Sequence, residues 1–186
     1  MFDIENEYAI INICYIKGRI SMNTKLSVRN LCITAIFMAL VIALSSFGIP
    51  VPGGHLYLND MVIVIGSLLL GPFEAFMIGG VGAFLGDLFF YPTPMFVSLV
   101  VHGLQAVVIS ILSKKLKMKD STAGLVVCII GAIIMVVGYT IGRAFIYATP
   151  EAAMLKLPFQ ILQATVGVIV GWICVYKLRI FNHLMQ

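Results

Sequence analysis

Apolar residues fill six stretches of the chain, and short polar or turn-forming runs separate them. The first stretch runs roughly from Val28 to Phe47 and ends at Gly48-Ile49-Pro50-Val51-Pro52-Gly53-Gly54. Proline and glycine at that density break a helix. The second stretch, about Leu58 to Leu70, is short, which suits a tilted helix or one that starts inside the protein, and Gly71-Pro72 closes it as a tight turn. The third, about Phe73 to Phe90, is rich in glycine and stops at Tyr91-Pro92-Thr93-Pro94. The fourth runs from about Met95 to Leu112, and Lys114, Lys115, Lys117 and Lys119 follow it. The fifth runs from about Ala123 to Tyr147, Thr149-Pro150-Glu151 opens a loop, and the sixth runs from about Leu155 to Tyr176. A bilayer core takes about 20 mostly apolar residues per helical span. The pattern therefore predicts an all-α membrane protein with six transmembrane helices.

Composition agrees with that pattern. The 186 residues are 61% hydrophobic and 11% charged, and the mean hydropathy is +1.06. Soluble domains carry about 25% charged residues. A globule of this size could not hide so much apolar surface from water, so lipid is the solvent expected for residues 27–180. Residues 1–26 read differently. Asp3, Glu5 and Glu7 make them an acidic N-terminal extension without a signal-peptide pattern, and Met22-Asn23-Thr24-Lys25 looks like a native start. Residues 181–186 form a short C-terminal tail.

The net charge of +4 becomes informative once it is mapped. With a cytoplasmic N-terminus, Lys17, Arg19, Lys25, Arg29, the four lysines after the fourth stretch, Lys177 and Arg179 all fall inside. Only Arg143 and Lys156 fall outside. Cytoplasmic loops concentrate lysine and arginine, so both termini are expected in the cytoplasm of a multi-pass protein of the bacterial plasma membrane. The basic residues mark topology and give no nucleic-acid patch. Cys14, Cys32, Cys128 and Cys174 form no CxxC or Cys/His cluster, so no metal or redox site is expected. The last three, within apolar stretches, read as small apolar residues.

That orientation gathers the polar residues at the outer side. Asn59 and Asp60 open the second span, and Asp87 lies near the outer end of the third. His102 and Gln105 lie two to three turns into the fourth. Tyr139, Arg143 and Tyr147 share one face of the fifth, and Gln160 and Gln163 one face of the sixth. Ionisable groups are costly in a bilayer, so they face the protein interior and find partners. A purely structural account would pair Asp87 with Arg143 and let Asp60 cap the second helix. As a functional layer, Asn59, Asp87, His102, Tyr139, Arg143 and Gln163 suit a pocket for a small polar heterocycle, with Tyr57, Phe90 and Tyr91 nearby. Gly82-x-x-x-Gly86, Gly138-x-x-x-Gly142 and Gly167-x-x-x-Gly171 permit close helix approach. Ala35, Ala39 and Ala43 form a smooth stripe on the first span that can pack internally or dock a partner. There is no P-loop, no HExxH and no GxSxG. Uphill transport would therefore need energy from another protein.

These features together resemble the substrate-binding S components of energy-coupling factor (ECF) vitamin transporters over roughly residues 24–180. The resemblance rests on Ala35-Ile36-Phe37-Met38-Ala39, on Tyr57-Leu58-Asn59-Asp60 with Leu69-Leu70-Gly71-Pro72, and on Gly79 through Leu88 followed by Tyr91-Pro92. Leu157-Pro158-Phe159-Gln160-Ile161-Leu162-Gln163 with Gly167 completes it. The nearest subgroup takes riboflavin, hydroxymethylpyrimidine and pyridoxine-type substrates. Related sequences often carry a lysine and a glutamate in the fourth span, where this chain has His102 and Gln105. The resemblance implies a non-enzymatic subunit that captures a vitamin-like molecule from outside. It also implies a transmembrane coupling (T) subunit and two ATPase subunits as partners, with ATP used by those partners and no cofactor in this chain. Ala35 and Ala39 would then form the docking surface, and the loop after the first span an external gate. Three other classes stay open at this level: a self-sufficient carrier or channel, an intramembrane enzyme using Asp87 and His102, and a purely structural assembly subunit.

Overall fold

The computed structural model describes residues 28–116 and 121–177. The expected N-terminal extension with its start at Met22, and the C-terminal tail, lie outside the described residues. Six helices follow in order: α1 Val28–Ser45, α2 Asn59–Leu69, α3 Pro72–Phe90, α4 Met95–Lys115, α5 Ser121–Tyr147 and α6 Pro150–Lys177. Five are long and apolar enough to cross a membrane, while α2 has 11 residues. At about 1.5 Å per residue α2 spans roughly half of a hydrocarbon core.

Helix boundaries follow from local chemistry. Pro72 and Pro150 occupy first-turn positions, where a missing N–H is harmless. The Thr149 hydroxyl caps α6 by accepting from the Ala152 amide at 3.4 Å. Short π-helical turns interrupt α3 at Met77–Val81, and α5 and α6 end in others at Arg143–Tyr147 and Ile173–Lys177.

The break after α1 is more ordered than the sequence suggests. Ile49–Val51 (β1) and Gly54–Leu56 (β2) form an antiparallel hairpin with Ile49 opposite Leu56 and Val51 opposite Gly54. Pro52 and Gly53 make its turn. Gly53 has φ +81°, the left-handed conformation that the third position of a type II turn requires.

The bundle is organised around α2. Nine of its eleven residues are buried, and it packs against α1, α4 and α6. Ile63, Val64 and Leu68 join Ile78, Ala106, Ile109, Val127 and Val168 in the main core. The three Gly-x-x-x-Gly pairs make the close approaches. A Cβ on Gly86 would lie 2.7 Å from Ser45 Cβ of α1, one on Gly142 2.6 Å from Val97 of α4, and one on Gly167 2.8 Å from Asp60 Cβ of α2. α1, by contrast, buries only Thr34, Val41 and Ser45, and all three alanines of its stripe are exposed. Cys32 is exposed, Cys128 is buried, and neither pairs with another thiol.

Candidate functional site

The hairpin covers one end of the bundle, and a polar cavity lies beneath it. Asn59 of α2, Asp87 of α3, His102 of α4, Tyr139 and Arg143 of α5 and Gln163 of α6 all line this one space. Those are the six positions expected from sequence, and five helices supply them. The remaining lining includes His55 and Tyr57 from the hairpin and its exit, Tyr91, Lys156 and Gln160. The enclosed room is only about 30 Å³, enough for about one water molecule.

Two carboxylates organise this end of the bundle: Asp87 lines the cavity, and Asp60 is bonded to the lining residue Gln163. Asp60 is 1% exposed and receives the Gln163 side-chain amide at 2.5 Å and that of Gln105 at 3.5 Å. The ring of His102 donates from Nδ1 to the Gln105 carbonyl oxygen at 2.8 Å and stands 3.7 Å from the same carboxylate. The Gln163 oxygen in turn accepts from the Tyr57 backbone amide at 3.1 Å. Asp60 therefore holds α2, α4 and α6 together, and Tyr57, just past the hairpin, is tied in through Gln163. It does not cap its helix: the cap position is Leu58, with no side-chain bond. Asp87 accepts from the Ser98 hydroxyl, which itself accepts from the Tyr139 phenol. Glycines set this geometry. Gly79 and Gly80 let α3 meet the α4 backbone at His102 and Leu99, where added Cβ atoms would come within 2.7 and 3.0 Å of those carbonyls.

The cationic wall is built differently. The expected Asp87–Arg143 ion pair does not form, because Asp87 is engaged by Ser98 while Arg143 reaches the hairpin and donates to the Gly53 carbonyl. The guanidinium also lies 5.2 Å from the Tyr147 ring centroid. Lys156 donates to the His55 carbonyl, and Gln160 donates to the Val136 carbonyl at 2.9 Å. No hydrogen bond or ion pair joins Asp87 to His102 among the described residues, so the acid/base pair considered from sequence is not assembled. At the hairpin exit, burial and the nearby Asp87 push the Tyr57 phenol above its ordinary range, so it stays neutral. His55 packs edge-on to Tyr91 with ring centroids 5.2 Å apart. No group of three or more metal-ligating side chains occurs among the described residues.

Sequence reasoning missed Lys156 and His55 as lining residues, and placed Gln160 in the outer polar layer without naming it as a pocket residue. Lys156, Gln160 and Gln163 follow i, i+4, i+7 spacing, so one helical face carried that signal. His55 had none, because its place depends on the hairpin folding back.

Residues 25–179 match the family described as ECF-type riboflavin transporter, S component. The chain belongs to this family. It is a multi-pass membrane protein of a transporter family, and this points away from enzymatic activity. A protein of Pyrococcus woesei described as "uncharacterized protein in gap 3'region" is 32% identical over 127 residues, which cover 66% of this chain and 82% of that one. In this S component the matched segment contains all six helices and the whole cavity.

Proposed function

We propose that this S component captures a small water-soluble vitamin or vitamin precursor, of the riboflavin, hydroxymethylpyrimidine or pyridoxine class, from outside the cell. The observation that carries this reading is convergence: five helices each send a polar side chain into one cavity under one hairpin. Arg143 and Lys156 lie at the hairpin end, whereas Lys114, Lys115 and Lys177 lie at the other ends of their helices. With lysine-rich loops inside, the hairpin faces outward, where a scavenged nutrient arrives. Both termini are then cytoplasmic.

A drug-sized ligand needs roughly 300 Å³ or more. A cavity of about 30 Å³ must therefore widen, and the hairpin is the wall that can lift. Its turn and second strand are fastened through two backbone carbonyls, at Gly53 and His55, so it serves as the gate. Release into the cell requires a coupling subunit carrying two ATPases. The exposed Ala35 and Ala39 on α1 are the docking surface, since small side chains let a partner helix approach closely. The test is binding to the purified protein, beginning with mass spectrometry of the co-purifying ligand. His102→Ala and Gln163→Ala should weaken its binding by about tenfold or more each. Unchanged affinity in both would remove the cavity from the reading.

A further inference from the structure

Arg143 and Lys156 are 7% and 3% exposed, and neither has a carboxylate within ion-pair distance. Among the described residues, the only approach of a basic side chain to a carboxylate within 4 Å is that of His102 to Asp60, an ion pair only when the ring is protonated. A buried cation without a counter-charge is expensive in a protein interior, and more so at membrane depth. What each receives here is a hairpin carbonyl, and for Arg143 also the face of Tyr147. A carbonyl dipole or a ring quadrupole does not cancel a unit charge. Both cations line the same wall, so they also repel one another. Asp60 and Asp87 spend their hydrogen bonds on Gln105, Gln163 and Ser98 and form no ion pair with either cation, although Asp60 acts on Lys156 through space.

Three atoms of the cavity lining lack partners, among them His55 Nδ1. Arg143 Nε is buried with no acceptor, although a guanidinium has five N–H donors. Asn59 Oδ1 is buried with no donor, its amide nitrogen being engaged by the Ser45 hydroxyl at 3.3 Å. One side of the space thus calls for a negatively charged acceptor and the other for a donor.

We propose that the ligand is anionic: a small heterocycle whose carboxylate or phosphate seats between Arg143 and Lys156, with a ring N–H or hydroxyl donating to Asn59. This rests on the capture reading above and moves its ligand from the uncharged riboflavin, hydroxymethylpyrimidine and pyridoxine to a phosphorylated form or a carboxylate-bearing vitamin. Arg143 has donors to spare, so it holds the anion and the hairpin carbonyl together, closing the gate over a neutralised charge. Planar two-point contact with carboxylate or phosphate is the geometry arginine favours.

The experiment compares matched pairs on the purified full chain by calorimetry: riboflavin against its 5′-phosphate, and nicotinamide against nicotinate. The first pair reports phosphate and the second carboxylate. In at least one pair the anionic member should bind about 30-fold tighter, the size of a charge-assisted contact. Arg143→Gln and Lys156→Gln should each collapse that ratio towards one. If the neutral member of both pairs binds as tightly as the anionic one, the inference falls while vitamin capture stands. A ratio unchanged in both variants also overturns it and makes the two cations hairpin fasteners. Should the variants fail to fold, the wild-type ratio alone decides. No binding by any of the four probes overturns it too, and the co-purified ligand then tests the capture reading separately.

Discussion

Both ends of the bundle bury polar side chains, but they satisfy them in different ways. At the lysine end the groups are mostly hydroxyls that return to their own helix: Ser67 donates to the Ile63 carbonyl, Ser113 to that of Ser110, and Thr34 to that of Asn30. Ser110, which reaches Leu70 on another segment, and Trp172 of α6, whose indole N–H donates to the Ser121 carbonyl of α5, are the exceptions. At the hairpin end Ser45 and Thr140 also return to their own helices, but the bonds to the two acids run between helices, from Gln163 of α6 and Gln105 of α4 to Asp60 of α2, and from Tyr139 of α5 through Ser98 of α4 to Asp87 of α3. A hydroxyl closed on its own helix travels with that helix and specifies no neighbour. A carboxylate shared by three helices fixes their relative placement. Buried polarity alone therefore does not mark the site; bonding across helices does.

That contrast can be broken most severely at Asp60. Asp60→Ala strands the donors of Gln105 and Gln163 and the ring of His102, and should cost about 3–5 kcal/mol. Thermal unfolding in detergent measures it, and a loss below about 1 kcal/mol would mean that no network exists there. Next comes Gly167→Ala, whose new Cβ would meet Asp60 Cβ at 2.8 Å and should cost about 2 kcal/mol by overpacking. A neutral result would show that α6 can shift away from α2 freely. Ser98→Ala should cost about 1–2 kcal/mol, since it leaves the buried Asp87 and Tyr139 without their shared hydroxyl.

The same substitution at the other end sharpens the comparison. Ser67→Ala removes a bond to the carbonyl four residues back on its own helix and should change stability by less than about 0.5 kcal/mol. Equal losses for Ser67→Ala and Ser98→Ala would erase the distinction between the two ends. The smallest effect on folding is expected at Ala35→Leu and Ala39→Leu, exposed on α1, at under about 0.5 kcal/mol. In cells that also express the coupling proteins, however, these two should abolish uptake while binding persists. Lost binding would instead make the stripe internal packing.

Much of the fold was legible because helix spans leave a one-dimensional trace. Runs of apolar residues between Gly48–Gly54, Gly71-Pro72, Tyr91–Pro94 and Thr149–Pro150 place the helices to within a few residues. The six lining residues were legible for a related reason. Asn59, Asp87, His102, Tyr139, Arg143 and Gln163 are polar where lipid would reject them, and alternating helix direction puts them at one depth. Partners were not legible. Asp87 and Arg143 attract on paper, yet Ser98 and the Gly53 carbonyl are nearer in space. Likewise the sequence marks α2 as a short apolar stretch beside the longer α1, and only packing makes α2 the buried centre and leaves α1 open.

The sequence by itself determined that this chain lives in lipid, that it folds as a bundle of helices, and which residues could not face the bilayer. Each follows from transfer of one side chain at a time between water and hydrocarbon, a property that a list of residues carries. The tertiary structure alone decided that Gly48 to Leu56 folds back as a hairpin over the cavity. It also decided that the two acids are hydrogen-bonded within the bundle, while Arg143 and Lys156 donate to carbonyls of that hairpin and Arg143 lies against the Tyr147 ring. Those outcomes depend on distances between segments far apart in the chain. The cations are left wanting a counter-charge because the nearest acceptors in space were backbone dipoles.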